Sequence, residues 1–310
     1  VKPLDFLIIG AQKCATTTLF EHLRAHPEVN MPLEKEVPFF TGEECSEAAW
    51  ETFAATHFGP EDGRLWGKAT PQYMCDRATA GRIRELMPDV KLVAILRDPI
   101  ERTLSHYKMG RRRDTEPRDF DTAISELLAE DALQQGRTLP APAHSAGYEP
   151  ESAFYVAWSE YGRILGEYAR VFGPDQLLVL YTEDLESNPA GTLDRLLAFI
   201  GLEPGFRPDT LGEVIHKGGG SNRIPHSLRV WLRERRALYD LWQLLPESRR
   251  GRLRFLYEQW NVRKGDAATD APPISDLTRQ SLLGHYGRDL ASLLELPVDP
   301  PPWAQRYLHG

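Results

Sequence analysis

The residues best placed to do chemistry lie at the start of the chain, in Gly10-Ala-Gln-Lys-Cys-Ala-Thr-Thr-Thr18. The short apolar run Phe6–Ile9 precedes them, and Leu19, Phe20 and Leu23 follow at helical spacing. A buried strand, a tight loop and a helix are therefore expected here. Gly10 permits a sharp turn. The first helical amides and the helix dipole favour an anion. Lys13 adds a point charge, and Thr16, Thr17 and Thr18 add hydroxyl donors. The chemistry implied is recognition of a phosphate-like group. An ordinary strand-to-helix turn would not need a Lys and three successive Thr.

The nucleotide-triphosphatase loop is Gly-x-x-x-x-Gly-Lys-Ser/Thr, and this loop departs from it. It has no second Gly, and Lys13 follows Gly10 by three residues. A metal-holding strand ends in Asp directly after its apolar run. Here the run Val93–Leu96 ends in Arg97, with Asp98 after it. Arg97 at a strand end, with Ser105 two helical turns further on, suits a second phosphate monoester. Lys217-Gly-Gly-Gly-Ser-Asn-Arg223 could supply backbone and charge to a third contact.

Two linked motifs carry a family resemblance. Gly10–Leu19 resembles the 5′-phosphosulfate loop of the sulfotransferase family, and Leu96-Arg-Asp-Pro-Ile-Glu-Arg-Thr-Leu-Ser-His-Tyr107 resembles its 3′-phosphate motif. Tyr181-Thr-Glu-Asp-Leu185 resembles the later core, so the likeness covers roughly residues 4–230. It implies a donor, 3′-phosphoadenosine-5′-phosphosulfate, leaving as adenosine 3′,5′-bisphosphate, and no required metal. It places Gln12, Lys13, Cys14, Ala15, Thr16, Thr17, Thr18, Arg97, Ser105, Lys217, Gly218, Gly219 and Arg223 around that donor. Glu34-Lys-Glu-Val-Pro-Phe-Phe40 resembles the Lys-Glu-x-x-Phe-Phe segment of the glycosaminoglycan-type and bacterial branch, where the Glu is the proposed base. Glu36 is thus the candidate base, and Lys13 the group that stabilises the leaving phosphate. Trp66-Gly-Lys-Ala-Thr-Pro-Gln-Tyr73 resembles another family segment. It implies that Lys68 reaches the reaction centre and that Tyr73 lines the acceptor pocket. His144, with His57, is the fallback base.

These residues require elements to hold them. Apolar runs at Leu65–Ala69, Val90–Leu96 and Gln176–Tyr181, and the pair Phe39-Phe40, read as further strands. Helices are expected over Trp50–Phe58, Ala78–Met87, Phe120–Leu128, Tyr155–Phe172 and Pro189–Ile200, and from Pro99 onward. Later helices are expected over Leu228–Leu245, Arg249–Trp260 and Leu277–Leu294. Arg111–Arg118 and Gln134–Pro150 read as loops, the second a potential lid. The alternation gives an α/β fold, a central parallel β-sheet flanked by helices of the P-loop NTPase-like sulfotransferase type, with a helical C-terminal part. All 310 residues read as one domain, with a core over about 4–230 and an extension over 231–310.

The composition narrows the partners. A net charge of −8 disfavours nucleic acid or an anionic membrane. Three irregularly spaced cysteines suggest neither a disulfide framework nor a zinc site. No apolar run approaches the ~20 residues of a membrane span. A cytoplasmic enzyme of bacterial type, monomer or homodimer, acting on a small-molecule, carrier-bound or sugar acceptor is the expectation, natural-product biosynthesis being one setting. Two other readings remain at this point: an ATP- and magnesium-dependent kinase, and a non-catalytic nucleotide-binding module.

Overall fold

The computed structural model describes residues 2–42, 44–112, 115–138, 151–213 and 274–308. The helices expected over 228–245 and 249–260 lie outside these residues, as do His144, Lys217, Gly218, Gly219 and Arg223.

Five parallel strands form the sheet: β1 (Phe6–Gly10), β2 (Val29–Asn30), β3 (Leu65–Ala69), β4 (Lys91–Leu96) and β5 (Leu177–Tyr181), in the order β2-β3-β1-β4-β5. The chain adds β3 on one side of β1 and then crosses to add β4 on the other. That reversal creates a crevice beyond the carboxyl ends of β1 and β4, where open α/β sheets bind ligands. The sequence accounts for this placement. Phe6, Leu7, Ile8 and Ile9 are all 0 % exposed, as are Leu92–Leu96, so both faces of these strands are covered by helices.

The covering helices are α1 (Thr16–Arg24), α2 (Glu47–His57), α3 (Thr79–Leu86), α4 (Pro99–Arg112), α5 (Phe120–Leu127), α6 (Glu130–Thr138), α7 (Tyr161–Phe172), α8 (Thr182–Ser187), α9 (Pro189–Ile200), α10 (Asp276–Leu294) and α11 (Gln305–Leu308). Most match their expected positions, with four corrections. Helix α4 runs to Arg112, into the expected charged loop. Residues 134–138 belong to α6, because Leu133 and Gly136 pack inward and Glu130 and Asp131 favour its first turn. The helix expected from Tyr155 starts only at Tyr161, after tight turns at Glu151–Ala153 and Ala157–Ser159. Phe39-Phe40 is not a strand: the segment bends, and both rings pack into an aromatic cluster with Trp50 and Tyr73.

Helix α10 locks α7 and α4 together. The Asp289 carboxylate accepts the amides of Gly162 and Arg163 at 2.8 and 2.9 Å, capping α7 across the interface. The Tyr286 hydroxyl meets Thr103 Oγ1 at 2.6 Å. A Cβ on Gly162 would lie 2.1 Å from the Asp289 carbonyl oxygen, so only Gly allows this approach.

Candidate active site

The first loop is built for an anion. Lys13 and Ala15 hold positive φ values of 74° and 55°, a strained conformation for residues with a Cβ. Gly10 is needed beneath it, since a Cβ there would sit 2.7 Å from Met74 Cβ. No side chain caps α1. Its opening amides therefore face the loop without an intrahelical acceptor or a capping group, which is the arrangement that takes a phosphate or sulfate. Gln12, Cys14, Thr16 and Thr18 are buried, while Lys13, Ala15 and Thr17 are half-buried. The Lys13 ammonium lies 3.8 Å from Met109 Sδ, on the α4 side of the loop. Cys14 is 0 % exposed, and burial pushes its thiol up to about 11, so it stays protonated.

A second group gathers on the β3 side. The Lys35 ammonium donates to Thr16 Oγ1 at 3.2 Å and to Glu36 Oε1 at 2.6 Å. This clamps the candidate base to the first residue of α1. Adjacency to Glu36 alone gives Lys35 no role beyond a surface ion pair. Its side chain is 12 % exposed, and only the fold reveals Thr16 as its second partner.

Lys68 is 0 % exposed and donates to Thr70 Oγ1. Its ammonium sits 4.9 Å from the Tyr73 ring centroid. Burial drives its pKa from 10.5 down to about 7, opposed by the Glu36 carboxylate and reinforced by Lys35. Lys68 thus feels the charges of both members of the Lys35–Glu36 pair.

Tyr73 is 0 % exposed. Its hydroxyl accepts the backbone amides of Phe39 and Phe40 at 2.7 and 3.2 Å, anchoring the segment that carries Glu36. His57, the fallback base, packs at a tilt against Phe53 with centroids 4.4 Å apart.

The second motif occupies the end of β4. Arg97 pairs loosely with Glu101 at 3.7 Å, and Ser105 is half-buried one turn beyond Glu101 on the same helical stripe. Arg97 opens onto a cleft of 370 Å³ shared with Glu101, Thr182, Glu183, Trp303 and Arg306. Asp98 is committed elsewhere. It accepts the amides of Ile100 and Glu101 at the start of α4, and it binds Arg306 at 2.6 Å and the Tyr307 hydroxyl at 2.8 Å. A carboxylate with this many partners is a structural cap rather than a metal ligand. Among the described residues, no group of His, Cys, Asp and Glu is arranged to hold a metal.

The sulfotransferase family profile matches residues 35–207, which include Glu36, Lys68, Arg97 and Ser105. Heparan sulfate glucosamine 3-O-sulfotransferase 6 of Homo sapiens is 29% identical over 251 residues, covering 74% of this chain and 67% of the relative. Membrane-associated sulfotransferase kil1 of Dictyostelium discoideum is 32% identical over 136 residues, 41% of this chain and 28% of the relative. Heparan sulfate glucosamine 3-O-sulfotransferase 3B1 of Homo sapiens is matched over 46% of its own length, so the chain spans less than two thirds of most of these relatives. A crystal structure of a sulfotransferase from Alicyclobacillus acidocaldarius superposes with a TM-score of 0.62 at 20% identity, covering 95% of this chain and 96% of the other. The fold and the family profile together give one conclusion: the chain belongs to the sulfotransferase family, whose members transfer a sulfuryl group from 3′-phosphoadenosine-5′-phosphosulfate and release adenosine 3′,5′-bisphosphate.

Proposed function

We propose that this chain transfers a sulfuryl group to a hydroxyl of a sugar, a small metabolite or a carrier-bound chain, with Glu36 as general base. The observation that carries this reading is the convergence of Thr16, Lys35, Glu36 and Lys68, contributed by three separate segments. A carboxylate fixed against the donor loop is placed to take a proton from an acceptor oxygen.

The remaining roles follow from position. The uncapped start of α1, with Lys13, would hold the phosphosulfate end of the donor. Arg97 and Ser105 would hold its 3′-phosphate. When bound, the donor supplies the sulfuryl group and the phosphate leaving group. Lys13 and Lys68 bring positive charge to the reacting end, and that charge stabilises negative charge developing on the leaving oxygens. Lys35 keeps Glu36 from swinging away from the loop. This set of cations performs the neutralisation without a metal ion, and the ATP- and magnesium-dependent kinase reading falls away with the family assignment.

The relatives named as heparan sulfate enzymes act on a polyanionic glycan. The net charge of −8 here gives no general attraction for such a polymer. That supports a neutral or weakly charged alcohol as acceptor. No helix among the described residues is long and apolar enough to cross a membrane.

The test is transfer of labelled sulfate from the donor to a panel of sugar, metabolite and carrier-bound acceptors. Glu36→Gln should lower turnover at least ~100-fold while leaving bisphosphate binding within about twofold. Glu36→Gln with wild-type turnover would remove Glu36 as the base. A chain that binds the bisphosphate but sulfates nothing would favour the non-catalytic module.

A further inference from the structure

A buried polar chain lies under the donor loop, on the side away from Glu36. Arg102 is 0 % exposed. Its Nε donates to the carbonyl oxygen of Gln12 at 3.1 Å. Its Nη1 donates to the Tyr155 carbonyl oxygen at 3.0 Å and to Ser159 Oγ at 2.9 Å. Its Nη2 lies 2.7 Å from His106 Nδ1. A guanidinium has only donors, so His106 Nδ1 must accept. The ring proton is then on Nε2, which donates to Glu151 Oε2 at 2.9 Å. Glu151 also accepts from the Gln12 side-chain amide, at 3.2 and 3.4 Å. The path closes on itself: Gln12 backbone, Arg102, His106, Glu151, Gln12 side chain.

Two features show what this ring does. First, it grips both ends of Gln12, the residue before Lys13, whose positive φ of 74° needs external support. Second, burial, more than any other influence, drives the His106 pKa down to about 4, so the ring is neutral and its donor and acceptor sites stay fixed around neutrality. His106 also packs against Tyr155 and Trp158, at 4.8 and 5.4 Å between ring centroids.

We propose that Arg102, His106 and Glu151 form a positioning chain that holds Gln12, and through it the strained Lys13 backbone, in the shape that binds the phosphosulfate end of the donor. The inference rests on the reading of Gly10–Thr18 as the donor loop. None of the three side chains touches the reacting atoms. Their effect is on donor affinity and not on the acceptor.

The experiment measures the dissociation constant of adenosine 3′,5′-bisphosphate calorimetrically, with kcat and both KM values, for His106→Phe, Glu151→Gln and the double variant. Phe keeps the ring packing and removes both hydrogen bonds. Each single variant should weaken the bisphosphate about tenfold. The double variant should be no weaker than the worse single variant by more than about twofold, because both break one ring. The acceptor KM should stay within about twofold of wild type. A folded His106→Phe with wild-type bisphosphate affinity overturns the proposal, as does full multiplicativity in the double variant. If His106→Phe does not fold, Glu151→Gln and Gln12→Met and their double decide by the same criteria. Lys13→Ala separates the two layers. If it leaves bisphosphate binding unchanged, the donor-loop reading fails. If it weakens binding while the ring variants do not, only the positioning chain fails.

Discussion

Replacing Lys68 with Met should make the protein more stable at neutral pH and nearly inactive. The amine is 0 % exposed, and its pKa falls from 10.5 to about 7, first through burial and then through Lys35, against the pull of Glu36. Below about pH 7 the group is charged in both the folded and unfolded chain, and the cost of burying that charge is present in full. As pH rises from about 7 toward 10.5, the folded state sheds its proton before the unfolded state does, and the cost disappears. At about 1.4 kcal/mol per pH unit, the cost is about 4 kcal/mol at pH ~7 and about 1.5 kcal/mol at pH ~9.5. Met fills a similar volume without the charge. It forgoes the Thr70 hydrogen bond and the Tyr73 ring contact, together worth about 1–2 kcal/mol. The variant should thus lead by about 2–3 kcal/mol at pH ~7, a rise in Tm of roughly 3–5 °C, and lose most of that lead by pH ~9.5. Urea unfolding of both proteins at the two pH values reads the difference directly, because every other titrating group is common to both. Turnover of the variant should fall at least ~100-fold. A variant destabilised by the same amount at both pH values would refute the reasoning, since the buried charge would then not be the source of the cost.

Two further predictions concern the frame around the site. Gly10→Ala places a methyl 2.7 Å from Met74 Cβ, too near the backbone for the Met side chain to swing clear. It should cost about 1–3 kcal/mol by chemical denaturation and weaken bisphosphate binding, whereas wild-type values for both would mean that the β1 turn has slack. Glu160, 2 % exposed, is raised by burial but brought down to about 2 overall by His285, Arg137 and Arg163. Its stabilising contribution is present above pH ~4.5 and lost as pH falls toward ~2. Glu160→Gln should cost about 3–5 kcal/mol at neutral pH and flatten this acid dependence; an unchanged acid transition would exclude Glu160 as its source.

The legibility of the sequence varied with the range of the forces involved. Strand and helix positions were readable wherever one local pattern dominated. The continuous apolar run Phe6–Ile9 and the stop at Gly10 give β1 directly, and Pro189 and Gly201 bracket α9 at both ends. Errors fell where local and tertiary signals compete. Val29–Asn30 is too short to show any period, and it becomes a strand only because β3 lies beside it. Pro140, Pro142 and Gly147 suggested a loop from Gln134, yet inward packing of Leu133 and Gly136 carries α6 on to Thr138. The Tyr73 hydroxyl holds the Phe39 and Phe40 amides, contacts across 34 and 33 residues that no spacing rule predicts.

The same division runs through the site and explains its construction. The groups proposed to meet a ligand come from short, contiguous motifs, because a phosphate is held by a few adjacent amides and charges. Groups that hold those motifs in place came from distant segments. Lys35 reaches Thr16 across 19 residues, Arg102 reaches Gln12 across 90, and Glu151 reaches the same residue across 139. A loop with positive φ at both Lys13 and Ala15 cannot hold itself. Its strain, on the order of 1–3 kcal/mol per residue, must be offset by contacts that only the folded sheet brings within reach. The proposed donor loop is therefore a local motif whose shape is a property of the whole fold. Substitutions at Arg102, His106 or Glu151 should reach the donor without touching it.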